Sequence, residues 1–409
     1  MPTLTTNISW LTAGNALTKP LWFWFILVVC VGGLTEAGYG VFNAALAFML
    51  IASSLTDLGT SRLTIREVAR RPDRAATFFS NLLSFRGASG VLVLAGGLLL
   101  AFVLGDDAEM LWALLWAGVY AVALSGVIFC RSFYRAFEVM KWDAVSTMGE
   151  KIAVVAGGAL FLGVGGSPAS ALMGMAAGMV LTLVVNIYWV ARHLASFETR
   201  RVRTRVLQAT LTRALPFGMM SFFVLVYFRI DQVMVERIVG DVAAGEYGFA
   251  YRLLEAVMLL PLVVMEGTFP RLSALFEHGE RTEFLRILRR SLLVVVGLAV
   301  AVSGALYVFA GETVALVEWL AGRDGYAAAA EPLRILAWTF PFMAAAGLLS
   351  FALAASNDQR MLALLLGLAA GFNVLANLWL IPRLGASGAA LTTLWTEGGV
   401  ALLLSLRLA

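Results

Sequence analysis

The sequence predicts an all-α polytopic membrane protein with twelve transmembrane helices in two parallel six-helix lobes around a central cavity. Three observations predict it. Of the 409 residues, 60% are hydrophobic and only 14% charged, with a mean hydropathy of +0.86, more apolar surface than a soluble chain of this length hides. Apolar runs of about 20 residues recur, the length that crosses ~30 Å of hydrocarbon. The basic residues between those runs fall alternately on two sides.

The runs place spans at 9–33, 38–58, 78–104, 109–130, 145–165, 168–191, 211–235, 247–269, 289–310, 331–355, 360–381 and 386–406. Breakers separate them, among them "GDDAE" at 105–109, "GVGGSP" at 163–168, "SNDQ" at 356–359 and "IPRLGASG" at 381–388. The N-terminus lacks a basic region and a small-residue cleavage pattern, so the first span is expected to remain as a helix.

Basic residues test this count. Arg62, Arg66, Arg70, Arg71 and Arg74 follow span 2; Arg131, Arg135 and Lys141 follow span 4. Six arginines from Arg192 to Arg213 follow span 6, and five from Arg271 to Arg290 follow span 8. With Arg360 and Arg407 one side carries 21 basic residues, against 4 on the other: Arg237, Arg323, Arg334 and Arg383. Because cytoplasmic loops hold the excess of Lys and Arg, both termini are expected in the cytoplasm.

The halves repeat. "VGGLTEAGYG" (31–40) aligns with "VGDVAAGEYG" (239–248) at an offset of 208, which also pairs Gly59-Thr60 with Gly267-Thr268. "GSPASAL" (166–172) echoes "GASGAAL" (385–391). Spans 1 and 7 start on the same side, so the repeat is parallel: a lobe at 1–191, a basic cytoplasmic linker at 192–210 and a lobe at 211–409. Two such lobes rocking about a cavity describe a transporter.

Several classes are excluded. There is no Walker loop, Rossmann fingerprint or Cys/His cluster, so neither an ATP-driven pump nor a metal centre is expected, and no cofactor or nucleic-acid partner is implied. Cys30 and Cys130 are placed near opposite membrane faces, which argues against a disulfide.

The stretch "LTEAGYGVFNAALAFMLIASSLTDLGTSRLTIREVARRPD" resembles the second span and following loop of polysaccharide transporters, where a Tyr-Gly opens the helix and Asp-x-Gly closes it. "YFRIDQVMVERIVGDVAAGEYGFAYRLLEAVMLLPLVVMEGTFPRLS" is similar to their seventh and eighth spans, "NVLANLWLIPRLGASGAALTTLWTE" to their eleventh and twelfth, and "AFEVMKWDAV" to the loop after span 4. The resemblance is to the multidrug/oligosaccharidyl-lipid/polysaccharide exporter superfamily, and within it to the oligosaccharide (O-antigen or capsule repeat unit) flippase branch. Many members of that branch have fourteen spans, whereas twelve are counted here.

The resemblance implies a non-enzymatic transporter of the bacterial or archaeal cytoplasmic (inner) membrane. It would flip a polyprenyl-pyrophosphate-linked oligosaccharide from the cytoplasmic to the periplasmic leaflet for surface polysaccharide biosynthesis. The implied partners are that lipid-linked oligosaccharide, membrane lipids, a polysaccharide polymerase and glycosyltransferases. A proton or sodium ion is a candidate coupling ion.

Five cations fall inside spans: Lys19, Arg86, Lys151, Arg229 and Arg252. A charge at the bilayer centre costs at least ~2.5 kcal/mol on insertion scales, so each needs a role. Lys19, Arg86 and Lys151 enter at similar depth in the cytoplasmic half of the first lobe, as a cationic pocket for pyrophosphate would require; the rival role is snorkelling to the headgroups. Related lipid II flippases carry a basic residue in a setting similar to Thr18-Lys19-Pro20-Leu21, and Pro20 is expected to kink the helix near Asn15–Ala16. Adjacent helical residues do not share a face, so Glu150 is not expected to neutralise Lys151. In the second lobe Asp231 and Arg252 fall at equal depth on an antiparallel hairpin and are expected to pair, with Arg252–Glu255 as a second pair; the alternative is an anion-binding station at Arg229 and Arg252. Asp57, Glu150, Asp231, Glu266 and Glu397 are the carboxylates in or near spans, each a candidate for a coupling ion or a structural pair.

The competing function is a cation-coupled multidrug exporter of the same superfamily, which would want carboxylates rather than cations in the first lobe. A major-facilitator transporter would carry "G-x-x-x-D-R-x-G-R-R" after span 2, where "DLGTSRLTIREVARR" stands. A non-transporting scaffold leaves the buried charges without a purpose.

Overall fold

The structure is a computed structural model that describes residues 18–198, 203–355 and 359–408, and every regular element among them is helical. Among the described residues eight helices are each long and apolar enough to cross a membrane, nine if one bent pair counts as a single span. One of the eight joins the last two predicted spans end to end at Gly385; of the other predicted spans, the first is a shorter apolar helix and the eighth a helix pair broken at Met258.

The chain divides into two compact units, one of residues 1–34 and 41–225, the other of 35–40 and 226–409. In the first unit α1 (Thr18–Gly33) contains a π-helical segment, Phe25–Cys30. The kink expected at Asn15–Ala16 lies outside the described residues. Helix α2 (Glu36–Asp57) stops where Leu58 and Gly59 take left-handed backbone, φ 44° and 78°. At Gly59 any Cβ would also stand 2.4 Å from the Gly218 amide nitrogen, so conformation and space both demand glycine. Polar, amphipathic α3 (Thr60–Arg70) follows. It fills a stretch read from sequence as loop, because hydropathy marks only apolar helices.

Helix α4 (Ala75–Leu104) leaves Val91, Leu92, Leu99, Phe102 and Val103 exposed, as a helix facing lipid does. It ends at left-handed Gly105, and Asp107 caps α5 (Ala108–Ala136) by accepting the Met110 N–H at 2.9 Å. Helices α6 (Met140–Gly165) and α7 (Pro168–His193) are separated by left-handed Gly166 and a Ser167/Ser170 capping box, so the expected breaker acts through named caps. Phe79, Phe129 and Phe133 make the aromatic core of this unit, with centroids 5.3–6.0 Å apart.

Helix α8 (Thr204–Val239) starts inside the predicted linker and holds Pro216. Polar 204–210 extends the span as solvated helix, which an apolar-run criterion cannot detect. Predicted span 8 is two helices, α9 (Asp241–Val257) and α10 (Leu259–Glu277), broken at Met258. Then come α11 (Arg281–Val308) and α12 (Ala310–Ala321), the latter unforeseen, and α13 (Ala330–Ala337) bent 45° against α14 (Thr339–Ala355). Helix α15 (Gln359–Leu408) breaks at Gly385, φ 59° and ψ −137°, where the last two predicted spans were separated.

The second unit shows why the repeated stretch recurs. Its two copies pack on each other: a Cβ on Gly40 would stand 1.9 Å from the Asp241 carbonyl oxygen, and one on Gly245 2.1 Å from that of Glu36. Only glycine permits this approach. Beside it Tyr326 stacks on Phe249 at 5.0 Å and meets Tyr39 edge-on at 5.8 Å.

Candidate functional site

The first unit concentrates its charge between α2, α4, α5 and α6. Arg86, on α4 and only 4% exposed, is enclosed rather than presented to a cavity. It forms an ion pair with Asp57 and donates to Thr60 Oγ1 and Ser61 Oγ at 2.9 Å. It also reaches Ser125, at 3.0 Å to the carbonyl and 2.6 Å to Oγ, and its guanidinium lies 4.8 Å from the Phe129 ring centre. This differs from the expected cationic pocket. Asp57 neutralises Arg86, and the pair ties α4 to the α2–α3 turn.

Lys151 also differs. Its Nζ lies 2.9 Å from Glu150 Oε1 and 4.9 Å from the Trp22 ring centre. Its four-carbon stem curls back to the adjacent carboxylate, which a rule about helix faces overlooks. Glu150 in turn faces Arg131 at 3.5 Å, and Arg131 and Arg135 both donate their Nε to buried Asp143, Arg135 at 2.9 Å. Lys19, half-buried in α1, makes no hydrogen bond or ion pair among the described residues. Sequence reasoning missed the Arg131–Asp143–Arg135 clamp, although "AFEVMKWDAV" carries its aspartate.

In the second unit the expected Asp231–Arg252 pair does not form. Asp231, 3% exposed, accepts from Tyr247 Oη (3.0 Å), Thr393 Oγ1 (2.8 Å) and Asn377 Nδ2 (2.6 Å). Asn377 also donates to Asn373 Oδ1 at 3.0 Å, while its own Oδ1 is buried without a partner. The hydroxyl and amide donors of α9 and α15 reach Asp231 first, so Arg252 turns to Glu255 at 2.6 Å. Arg229 meets the same carboxylate at 3.0 Å, its Nη1 buried and unpartnered. Glu397, 3% exposed, lies beside the buried Tyr227 hydroxyl, within reach of a hydrogen bond from it. The side chain of Glu266 lies outside the described residues. Asn373, Asn377 and Thr393 were also missed; two asparagines at i, i+4 in an apolar span are the signal that marks them.

Of the three cations singled out in unit 1, Lys19 is the one without an ion pair among the described residues, beside neutralised Arg86 and Lys151. Unit 2 holds two arginines on one carboxylate and, separately, an aspartate ringed by oxygen-bearing side chains. Among the described residues no group of three His, Cys, Asp or Glu could hold a metal ion.

The family model "Polysaccharide biosynthesis protein" matches residues 4–276, more than half of the chain. The chain belongs to that family. A second model, MatE, matches residues 216–379. No curated protein matches. Among solved structures, an inward-facing multidrug resistance MATE transporter of the MOP superfamily is 17% identical, with a TM-score of 0.69 and 98% of each chain covered. The lipid II flippase MurJ in an inward closed conformation is 15% identical, with a TM-score of 0.72, covering 97% of this chain and 87% of that one. A MOP superfamily transporter from Pyrococcus furiosus, described as having a binding pocket of reversed polarity, is 15% identical, with a TM-score of 0.64, covering 99% of this chain and 93% of that one. The chain thus has the all-helical fold of these transporters, and its described residues include eight helices long and apolar enough to cross a membrane.

Proposed function

We propose that this transporter flips a polyprenyl-pyrophosphate-linked oligosaccharide from the cytoplasmic to the periplasmic leaflet of the inner membrane for surface polysaccharide synthesis. No bond is made or broken. The observation that carries the reading is Lys19 on α1, half-buried and without an ion pair among the described residues. An embedded cation favours an anionic cargo, since it is costly in hydrocarbon unless a counter-charge arrives. The glycan chain would travel in water with its pyrophosphate near this cation, its lipid tail in the bilayer. A polymerase and glycosyltransferases would act after and before it.

Coupling is assigned to Asp231. A sodium ion or proton there would meet the carboxylate, the orphaned Asn377 Oδ1, Asn373 Oδ1 and Thr393 Oγ1, all hard oxygen donors. The second reading, cation-coupled multidrug export, draws on the MatE match and on Asp231 and Glu397, buried without an ion pair among the described residues. Reconstitution into proteoliposomes bearing a fluorescent lipid-linked glycan separates the two. The wild type should translocate the glycan, Lys19→Ala should lose at least tenfold in rate while inserting normally, and Lys19→Arg should keep part. Full activity in Lys19→Ala removes Lys19 as a headgroup ligand; drug transport without glycan transport selects the second reading.

A further inference from the structure

A cavity of about 330 Å³ opens in the first unit among α2, α3, α5 and the first part of α8. It contains none of the five cations singled out from sequence, and its lining has a definite polarity. Ser53, Ser54 and Ser132 line it, and each donates its only hydroxyl proton to its own helix: to Leu50 O (2.9 Å), Ile51 O (2.7 Å) and Phe129 O (2.6 Å). What they offer the cavity is lone pairs. Asp57 lines it too. All its hydrogen bonds among the described residues fall on Oδ1, which leaves Oδ2 to accept. This wall calls for a ligand rich in donors, which a polyol is.

Ser61, Ser125 and Ser221 also line the cavity, Ser61 donating to Asp57 Oδ1 and Ser125 accepting from Arg86, and the remaining polar lining is cationic. Among the described residues Arg62 meets only the Met220 sulfur, at 3.8 Å. Arg135 is tied through Nε alone to Asp143, so its terminal nitrogens have no partner among the described residues. Asp143 is fully buried and takes the Nε of Arg131 and Arg135 together, fixing where Arg135 can reach. Two guanidiniums with unused donors select a planar or tetrahedral oxyanion, phosphate above all.

We propose that this cavity is a sugar-phosphate site: the acceptor wall takes the hydroxyls of one sugar, Arg62 and Arg135 take its phosphate, and Asp143 is the positioning residue for Arg135. The proposal rests on the flippase reading, for which it names the cytoplasmic docking point of the glycan. The same chemistry belongs to a soluble sugar phosphate, and the test distinguishes the two sources.

The full-length protein in detergent is titrated with glucose 1-phosphate, galactose 1-phosphate, N-acetylglucosamine 1-phosphate, the corresponding neutral sugars and inorganic phosphate. At least one sugar 1-phosphate should bind tenfold or more tightly than either its neutral sugar or phosphate. Arg62→Ala and Arg135→Ala should each weaken it about tenfold and flatten its salt dependence. Asp143→Asn should weaken it less, with Arg131→Ala as the control that leaves Arg135 in place. Ser54→Ala/Ser132→Ala, which keeps both arginines, should lose preference for the sugar over phosphate, so the proposal stays testable if an arginine variant fails to fold. Binding no tighter than phosphate, or unchanged in the arginine variants, overturns it.

Translocation of the lipid-linked glycan is measured on the same variants. Wild-type translocation that persists undiminished in Arg62→Ala and Arg135→Ala overturns the docking role while the flippase reading stands. Sugar-phosphate binding without any translocation by the wild type overturns the flippase reading and assigns the site to a soluble ligand.

Discussion

Five donor contacts surround the guanidinium of Arg86, to Asp57, Thr60, Ser61 and two atoms of Ser125. The arginine is 4% exposed and Asp57 25%. Removing one partner of such a pair strands the other, at about 3–5 kcal/mol. Arg86→Ala should therefore lower the unfolding temperature in detergent by several degrees, and the double change Asp57→Asn/Arg86→Met should recover part of that loss. An unchanged melting curve for Arg86→Ala would contradict a structural role. From sequence Arg86 was one more buried cation. Its partner on α2 lies 29 positions away in the chain, and hydropathy carries no record of such pairings. The Asp231 site was half legible for the same reason: its depth followed from counting, but Tyr247, Asn377 and Thr393 come from two other helices, and only folding brings them together.

At the scale of elements, spans were legible because lipid demands long apolar helices with every backbone group satisfied. Their caps were legible where glycine, serine or aspartate made them, as at Gly105, Asp107 and Ser167. Polar helices such as α3, and bends such as Met258, leave no such trace. Helix packing was illegible, yet it sets clear tests. A Cβ on Gly174 of α7 would stand 2.0 Å from the Gly157 carbonyl oxygen of α6, whereas nothing lies within 4 Å of one on Gly163. Both glycines are helical. Gly174→Ala should force α6 and α7 apart and lower the melting temperature. Gly163→Ala should be neutral or stabilising, by up to about 1 kcal/mol, because it removes backbone freedom from the unfolded chain. Equal effects at the two positions would mean that the α6–α7 contact is not so close.

At the scale of the whole molecule, orientation follows from arginine placement. Arg70 closes α3 and Arg71 and Arg74 lie between it and α4, while Asp106 and Asp107 lie between α4 and α5. The positive-inside rule predicts that the first segment is cytoplasmic and the second periplasmic. Alkaline phosphatase fused after Asp106 should be active, and a fluorescent protein fused after Arg74 should glow with the phosphatase silent there; the reverse pattern would invert the protein.

Orientation also gives the driving force its sign. If inward cation flow powers outward movement of an anionic glycan, the cation must bind a group whose charge it can neutralise. Asp231 qualifies: it is buried, its partners are neutral, and Asn377 Oδ1 lacks a donor. Glu255 does not, because two arginines already claim it. A ligand shifts a conformational equilibrium only by its differential affinity for the two states, so removing that affinity removes the coupling and not the cargo site. Wild-type proteoliposomes should accelerate glycan translocation under an imposed sodium or pH gradient. Asp231→Asn should bind sugar 1-phosphate as the wild type does, yet show no acceleration under either gradient. A gradient response retained in Asp231→Asn would move the coupling site elsewhere, with Glu397, another buried carboxylate lacking a cationic partner among the described residues, next to be tested.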